Sequence, residues 1–138
     1  MIDTALTGAP LLDAGRILLR EELLPALSDS QRHAALMLVN ALAIATRALH
    51  QGEGNDREEL ASLGLLLGRP PSEACTNVRD RLLSDNRLLC ERIRAGQTDE
   101  GPWRAEVLAH LRATCRRQLA VSNPKVLAAV GSQRREPT

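Results

Sequence analysis

Aromatic residues are nearly missing from this sequence: Trp103 stands alone, with no Phe and no Tyr. Without rings to stack bases, single-stranded nucleic acid is a poor partner. A net charge of +1 lacks the basic footprint that duplex binding needs, and no helix-turn-helix with a basic recognition helix is visible. Val and Ile are scarce, so strand propensity is low nearly everywhere. Also absent are GxGxxG, GxxxxGK[ST], HExxH, GxSxG and DxDxDG, the short signatures of nucleotide, zinc, nucleophile-elbow and calcium chemistry. The three histidines, His33, His50 and His110, are not spaced as ligands within a helix, so no metal site is expected. Serines and cysteines show no base partner along the chain; no catalytic residue and no cofactor are assigned.

Cysteine is equally uninformative as a framework. Cys75, Cys90 and Cys115 are odd in number and follow no CxxC spacing. Each falls among apolar neighbours on a predicted helix, where a free thiol behaves as a small hydrophobe. Reduced thiols point to a cytoplasmic protein. The opening MIDTALTGAP has neither a basic n-region nor a long apolar core, so no signal peptide is expected.

What is abundant is Leu and Ala, within a hydrophobic content of 43%. At 138 residues the chain is one domain with enough length for a real core. The fold class predicted is all-α: a single-domain bundle of about five helices plus a short C-terminal one. The most apolar stretch is Ala34 to Leu49, which would reach roughly 24 Å as a helix. It is apolar all round, the pattern of a helix buried on most of its circumference. Asn40 and Arg47 interrupt it, so it is too short and too polar to span a bilayer.

Punctuation divides the rest. Residues 1–9 read as a lead-in, 10–131 as the bundle and 132–138 as a charged, disordered tail. The first helix is expected from Pro10 to about Leu24, burying Leu11 or Leu12, Ile17 or Leu18, and Leu24; Pro25 helps to end it. Capping boxes at Ser28–Gln31 and Asn55–Glu58 start helices that end near Gln51 and Leu67. Gly68-Arg69-Pro70-Pro71 breaks the chain. A fourth helix is expected over 72–95, with Cys75, Val78, Leu82, Leu89 and Ile93 inward and Gly96 at its left-handed end. A fifth runs from Pro102 to Val121, burying Val107 or Leu108, Leu111, Cys115 and Leu119. Asn123-Pro124 caps a last helix that Gly131 closes at Val130. Trp103 is expected to cover the end of its own core.

Two constellations can carry function. His33, Asn40 and Arg47 are spaced by seven, so they drift by only about 20° per step and form one polar line. Asn40 is either a hydrogen-bonded core amide fixing register, with His33 and Arg47 snorkelling at the ends, or part of a seam facing a ligand or partner helix. Arg112, Arg116, Arg117 and Lys125 form the second set. It is either a solvated face or a patch for phosphate or an acidic partner. Charge is uneven: residues 104–138 hold seven Lys/Arg against two Glu. Arg supplies 17 of the 18 cations, which points to coding composition as readily as to a selected patch.

His33-Ala34 and Val39-Asn40-Ala41-Leu42-Ala43-Ile44, with Arg47 a turn later, resemble the signature helix of a small uncharacterised helical family in bacteria. Glu21 to Leu27, Ile93 to Gly96, Leu111 to Thr114 and Leu119 to Pro124 fit its other motifs, so the resemblance covers about residues 10–127. It implies an accessory subunit beside a kinase of the aminoglycoside-phosphotransferase fold, acting on a hydroxyacyl-CoA in hydroxy-acid breakdown. ATP, magnesium and phosphoryl transfer would belong to the kinase. His33, Asn40, Arg47, Arg112, Arg116 and Asn123 are then the candidates for the contact surface or a CoA-phosphate site. Ala35 and Gln118 depart from it, standing where basic residues are expected. The expected partner is the kinase protein, with a CoA-linked substrate in the complex and no nucleic acid or membrane. The alternative is a self-contained homodimeric ligand-binding protein or enzyme.

Overall fold

The computed structural model describes residues 8–69 and 77–133, with side chains up to Gly131. The chain is all-α. Among the described residues six α-helices run in order: α1 (Ala9–Leu18), α2 (Asp29–Gln51), α3 (Gly54–Leu67), α4 (Val78–Arg94), α5 (Pro102–Ser122) and α6 (Pro124–Gln133). No strand occurs among the described residues. The helices group into two compact units. One is the chain up to Gly52 together with Val121–Asn123; the other is Glu53–Ala120 with the chain from Pro124 onward.

In the first unit, α1 packs along α2. The first helix does not stay regular to Leu24 as expected. After Leu18 the backbone widens into a π turn over Leu19–Leu23 and tightens into a 3-10 turn over Leu24–Ala26. Pro25 is the cause: it has no N–H to give and its ring crowds the carbonyl four residues back. Leu12, Leu19 and Leu24 are half-buried, whereas Ile17 and Leu18 are turned outward. Residues 1–7 of the expected lead-in lie outside the described residues.

The expectation that α2 is buried on most sides is not met. Only Ala35 and Thr46 are buried, with Val39 and Leu42 half-buried on the same stripe and Ala43, Ile44, Ala45 and Arg47 half-buried around it. The buried residues are small, so α1 can approach closely. Thr46 satisfies itself by donating its hydroxyl to the Leu42 carbonyl at 2.9 Å. Met37 is 60% exposed, and Leu36, Leu38 and Leu49 about half.

The second unit holds the larger core. Leu63, Leu67, Leu89 and Val107 form its centre, with Leu66, Leu82, Leu88, Ile93 and Trp103 packed around them. Trp103 covers the core as expected, and its indole Nε1 donates to the Leu66 carbonyl at 3.2 Å. That carbonyl is one of the last four of α3, which lack intrahelical partners. Gly68 is left-handed at φ 67°, and Arg69 N bonds back to the Gly64 carbonyl at 2.8 Å, which closes α3 in the manner of a glycine C-terminal cap.

Boundaries differ from expectation at three places. α3 begins at Gly54, so the Asn55 box lies inside its first turn. α4 begins at Val78, because Asn77 is extended and its side chain accepts the Asp80 N–H at 3.2 Å, an N-cap. Residues 70–76, and with them Cys75, lie outside the described residues. α6 continues through Gly131 to Gln133, since a single Gly weakens a helix by only about 1 kcal/mol. The expected tail therefore starts inside α6, and residues 134–138 lie outside the described residues.

Candidate functional site

The polar line on α2 is where the spacing put it, but it faces solvent. Val39, Leu42 and Thr46 mark the inner stripe. His33 and Asn40 lie on the opposite side of the helix, roughly half a turn away, and both are exposed. Leu36 and Met37 flank them on that outward face and are exposed as well. Asn40 is thus no core amide fixing register: its large apolar neighbours Leu36 and Met37 are turned outward with it. Ala35, where a basic residue was expected, is 8% exposed on the inner stripe, so a cation there would be desolvated.

Arg47 ends the line differently. Its guanidinium Nε donates to the Val121 carbonyl at 2.6 Å. Val121 is in the last turn of α5, where carbonyls lack helical partners and a cation is favoured. Arg47 is therefore an anchor within the first unit, and it meets the chain next to Asn123. Asn123 itself is exposed and has a partner. Arg112 and Arg116 are exposed on α5. Arg117 is not: it points inward with 20% of its side chain accessible. The four-cation patch is thus divided.

The reason lies in how α5 is rotated. Val107 is buried as expected, but Leu111 is 39% exposed and Cys115 is exposed. The inward line is Val107, His110, Thr114 and Arg117. His110 is 4% exposed, and its Nδ1 lies 2.8 Å from the Ser62 hydroxyl of α3. Cys90 on α4 is exposed too, so neither described thiol behaves as a core hydrophobe.

Four side-chain atoms on this line are buried without a hydrogen-bond partner: His110 Nε2, Thr114 Oγ1, and Arg117 Nε and Nη1. Glu58 Oε2 of α3 lies 3.8 Å from Arg117 Nε. That is close enough for attraction but beyond hydrogen-bond reach. Glu59 is held by Asn86 Nδ2 at 3.0 Å. Burial pushes the His110 imidazole below its ordinary pKa of 6.5; the Glu59 carboxylate works against this and the Arg117 guanidinium adds to it. The ring is therefore neutral near pH 7.

Beside the line lies an open cavity of about 430 Å³. Leu65, Leu66, Ala109 and Ala113 make its walls, and Ser62, His110 and Glu106 are its polar lining. A smaller one of about 280 Å³ lies against Ile93, Val107, Leu108 and Leu111. On its polar rim Arg104 Nη1 donates to the Asp99 carbonyl at 2.8 Å.

A second polar centre is structural. Asp85 lies on the buried stripe of α4 between Leu82 and Leu89 and is 1% exposed. Arg69 Nη1 and Arg81 Nε each donate to one of its oxygens at 2.9 Å. Both lone-pair sets are occupied, so a buried carboxylate is tolerated. Among the described residues no cluster of three or more His, Cys, Asp or Glu could hold a metal ion. No helix there is long and apolar enough to cross a membrane.

Residues 25–126 match the family described as a domain of unknown function, DUF6285. The chain belongs to that family. No curated protein and no solved structure matches the chain. The matched DUF6285 span contains α2 to α5 whole, and with them both the outward face of α2 and the polar line of α5; α1 lies outside it.

The Ser62–His110 pair escaped sequence reasoning. The residues are 48 positions apart, and no motif links them. The one available signal was His110, Thr114 and Arg117 recurring at helical spacing, and it was masked by Leu111 and Cys115 recurring on the neighbouring face.

Proposed function

We propose that this chain is a non-catalytic, cytoplasmic accessory subunit that docks on a kinase of the aminoglycoside-phosphotransferase fold, one acting on a hydroxyacyl-CoA. A single observation carries the docking role: the solvent side of α2 is apolar. Leu36 and Met37 are 49% and 60% exposed, and Asn40 sits among them. Such a face suits a protein partner more than water, and a lone Asn within it sets register with the facing element. The nature of the partner rests on the resemblance of the α2 and α5 motifs. The lack of any nucleotide-binding motif in the chain suits a subunit whose partner supplies the chemistry.

Two readings diverge over what covers the face. The seam His33–Asn40 would meet the kinase in the first reading and a second copy of the chain in the alternative. Co-expression with a kinase of the aminoglycoside-phosphotransferase fold separates them. Co-purification, lost on Met37→Glu, is expected. A chain that elutes as a homodimer and ignores the kinase would sink the accessory reading and leave the self-contained one.

A further inference from the structure

The docking face leaves the polar line of α5 without a role. Buried polar atoms are almost always paired, and each unpaired one costs about 1–3 kcal/mol. Here four unpaired atoms occur within three helical turns. Arg117 Nε and Nη1 can only donate, and the Thr114 hydroxyl can donate. When Ser62 donates to His110 Nδ1, the neutral ring carries its proton on Nε2 and donates as well. All four are thus satisfied by one kind of group, an oxygen acceptor, and an anionic one answers Arg117 best.

We propose that the open cavity between α3 and α5 is a binding site for a small monocarboxylic acid, its apolar body against the lining and its carboxylate turned past His110 toward Arg117 and Thr114, which adjoin the cavity without lining it. Glu58 marks the carboxylate position: its own carboxylate stands off Arg117 at 3.8 Å with 72% of the side chain exposed. An incoming carboxylate displaces it at little cost, because the Glu58 end of the pair is exposed and at that distance makes no hydrogen bond to Arg117. Leu65, Leu66, Ala109 and Ala113 then receive the apolar body, the two alanines leaving it room. Glu106, three turns along α5 from Arg117, stands at the far end of the cavity and repels a second carboxylate. That selects monocarboxylates over dicarboxylates. The site lies wholly in the second unit and does not depend on the docking role of α2.

The test uses the full chain alone. Sodium hexanoate is titrated while the His110 ring and the amides of Ser62, Thr114 and Arg117 are followed by NMR, with adipate, hexanol and hexylamine in parallel. Expected is saturable binding of hexanoate, with shifts centred on those residues and weaker binding of the other three. Arg117→Gln should weaken hexanoate about tenfold, the loss of one charge-assisted hydrogen bond. Glu58→Gln, an exposed change that spares the fold, should tighten it by roughly threefold by removing the competing carboxylate. Absence of saturation, equal binding of hexanol or hexylamine, or an affinity that Glu58→Gln leaves unchanged or weakens would overturn the proposal.

Discussion

The outward face of α2 carries Leu36 and Met37, whereas the inward line of α5 carries His110, Thr114 and Arg117. Both helices are rich in Leu and Ala, and in each more than one face could have been buried. On α2 the small residues Ala35 and Thr46 let α1 approach, and the large apolar residues stay outside. On α5 a hydrogen bond between Ser62 and His110 holds the polar line inside and turns Leu108 and Leu111 out. Where hydrophobicity is spread around a helix, the buried side is chosen by what the neighbouring helix can offer. Positions that break the usual rule are also where function is most to be expected.

The largest break in this comparison would come from the polar burial of the second unit. Asp85→Ala removes the acceptor shared by Arg69 and Arg81 and should cost about 3 kcal/mol, read by urea unfolding. A loss below about 1 kcal/mol would mean that both arginines simply turn to water, and that buried polarity is not structural there.

A smaller effect is expected from pH. The folded-state pKa of His110 lies below 6.5 because burial disfavours its charged form. Between that lowered value and 6.5 the unfolded chain binds more protons, so stability rises with pH. The stabilisation is complete above pH 6.5 and is lost as the pH falls through 6.5 toward the folded value. Thermal melts between pH 7.5 and 5.5 should show the decline, and His110→Gln should flatten it. Glu59, Arg117 and Ser62 are the groups facing the ring. An unchanged slope in the variant would remove His110 as its source.

Least disturbing to the fold should be Met37→Glu. At 60% exposure it should change stability by less than about 0.5 kcal/mol, while abolishing co-purification with the proposed kinase partner or self-association. A variant that unfolds instead would show that Met37 is part of the core, and the contrast between the two helices would vanish.

Much of this was legible in advance. α2 and α5 fall within a residue or two of expectation, because Ser28, Gly52, Pro102 and Asn123 are local signals that act on the backbone beside them. The buried line of α4 was also readable at Val78, Leu82, Leu89 and Ile93, since its other faces are charged. Asp85 on that same line was not, because its burial depends on Arg69 from beyond the end of α3 as well as on Arg81. The site on α5 was hidden for the same reason: Ser62 and His110 become partners only when two helices meet. Arg47 has its meaning through Val121, 74 positions away.

The sequence by itself determined that the protein is helical and where α2, α3 and α5 begin and end, to within a turn. Caps, glycines, prolines and the poverty of β-branched residues act over a few residues and need no fold to be read. Only the tertiary structure decided which face each helix buries. That choice compares the free energy of competing interfaces, and when several faces are comparably apolar, one hydrogen bond or one small side chain is enough to turn the helix.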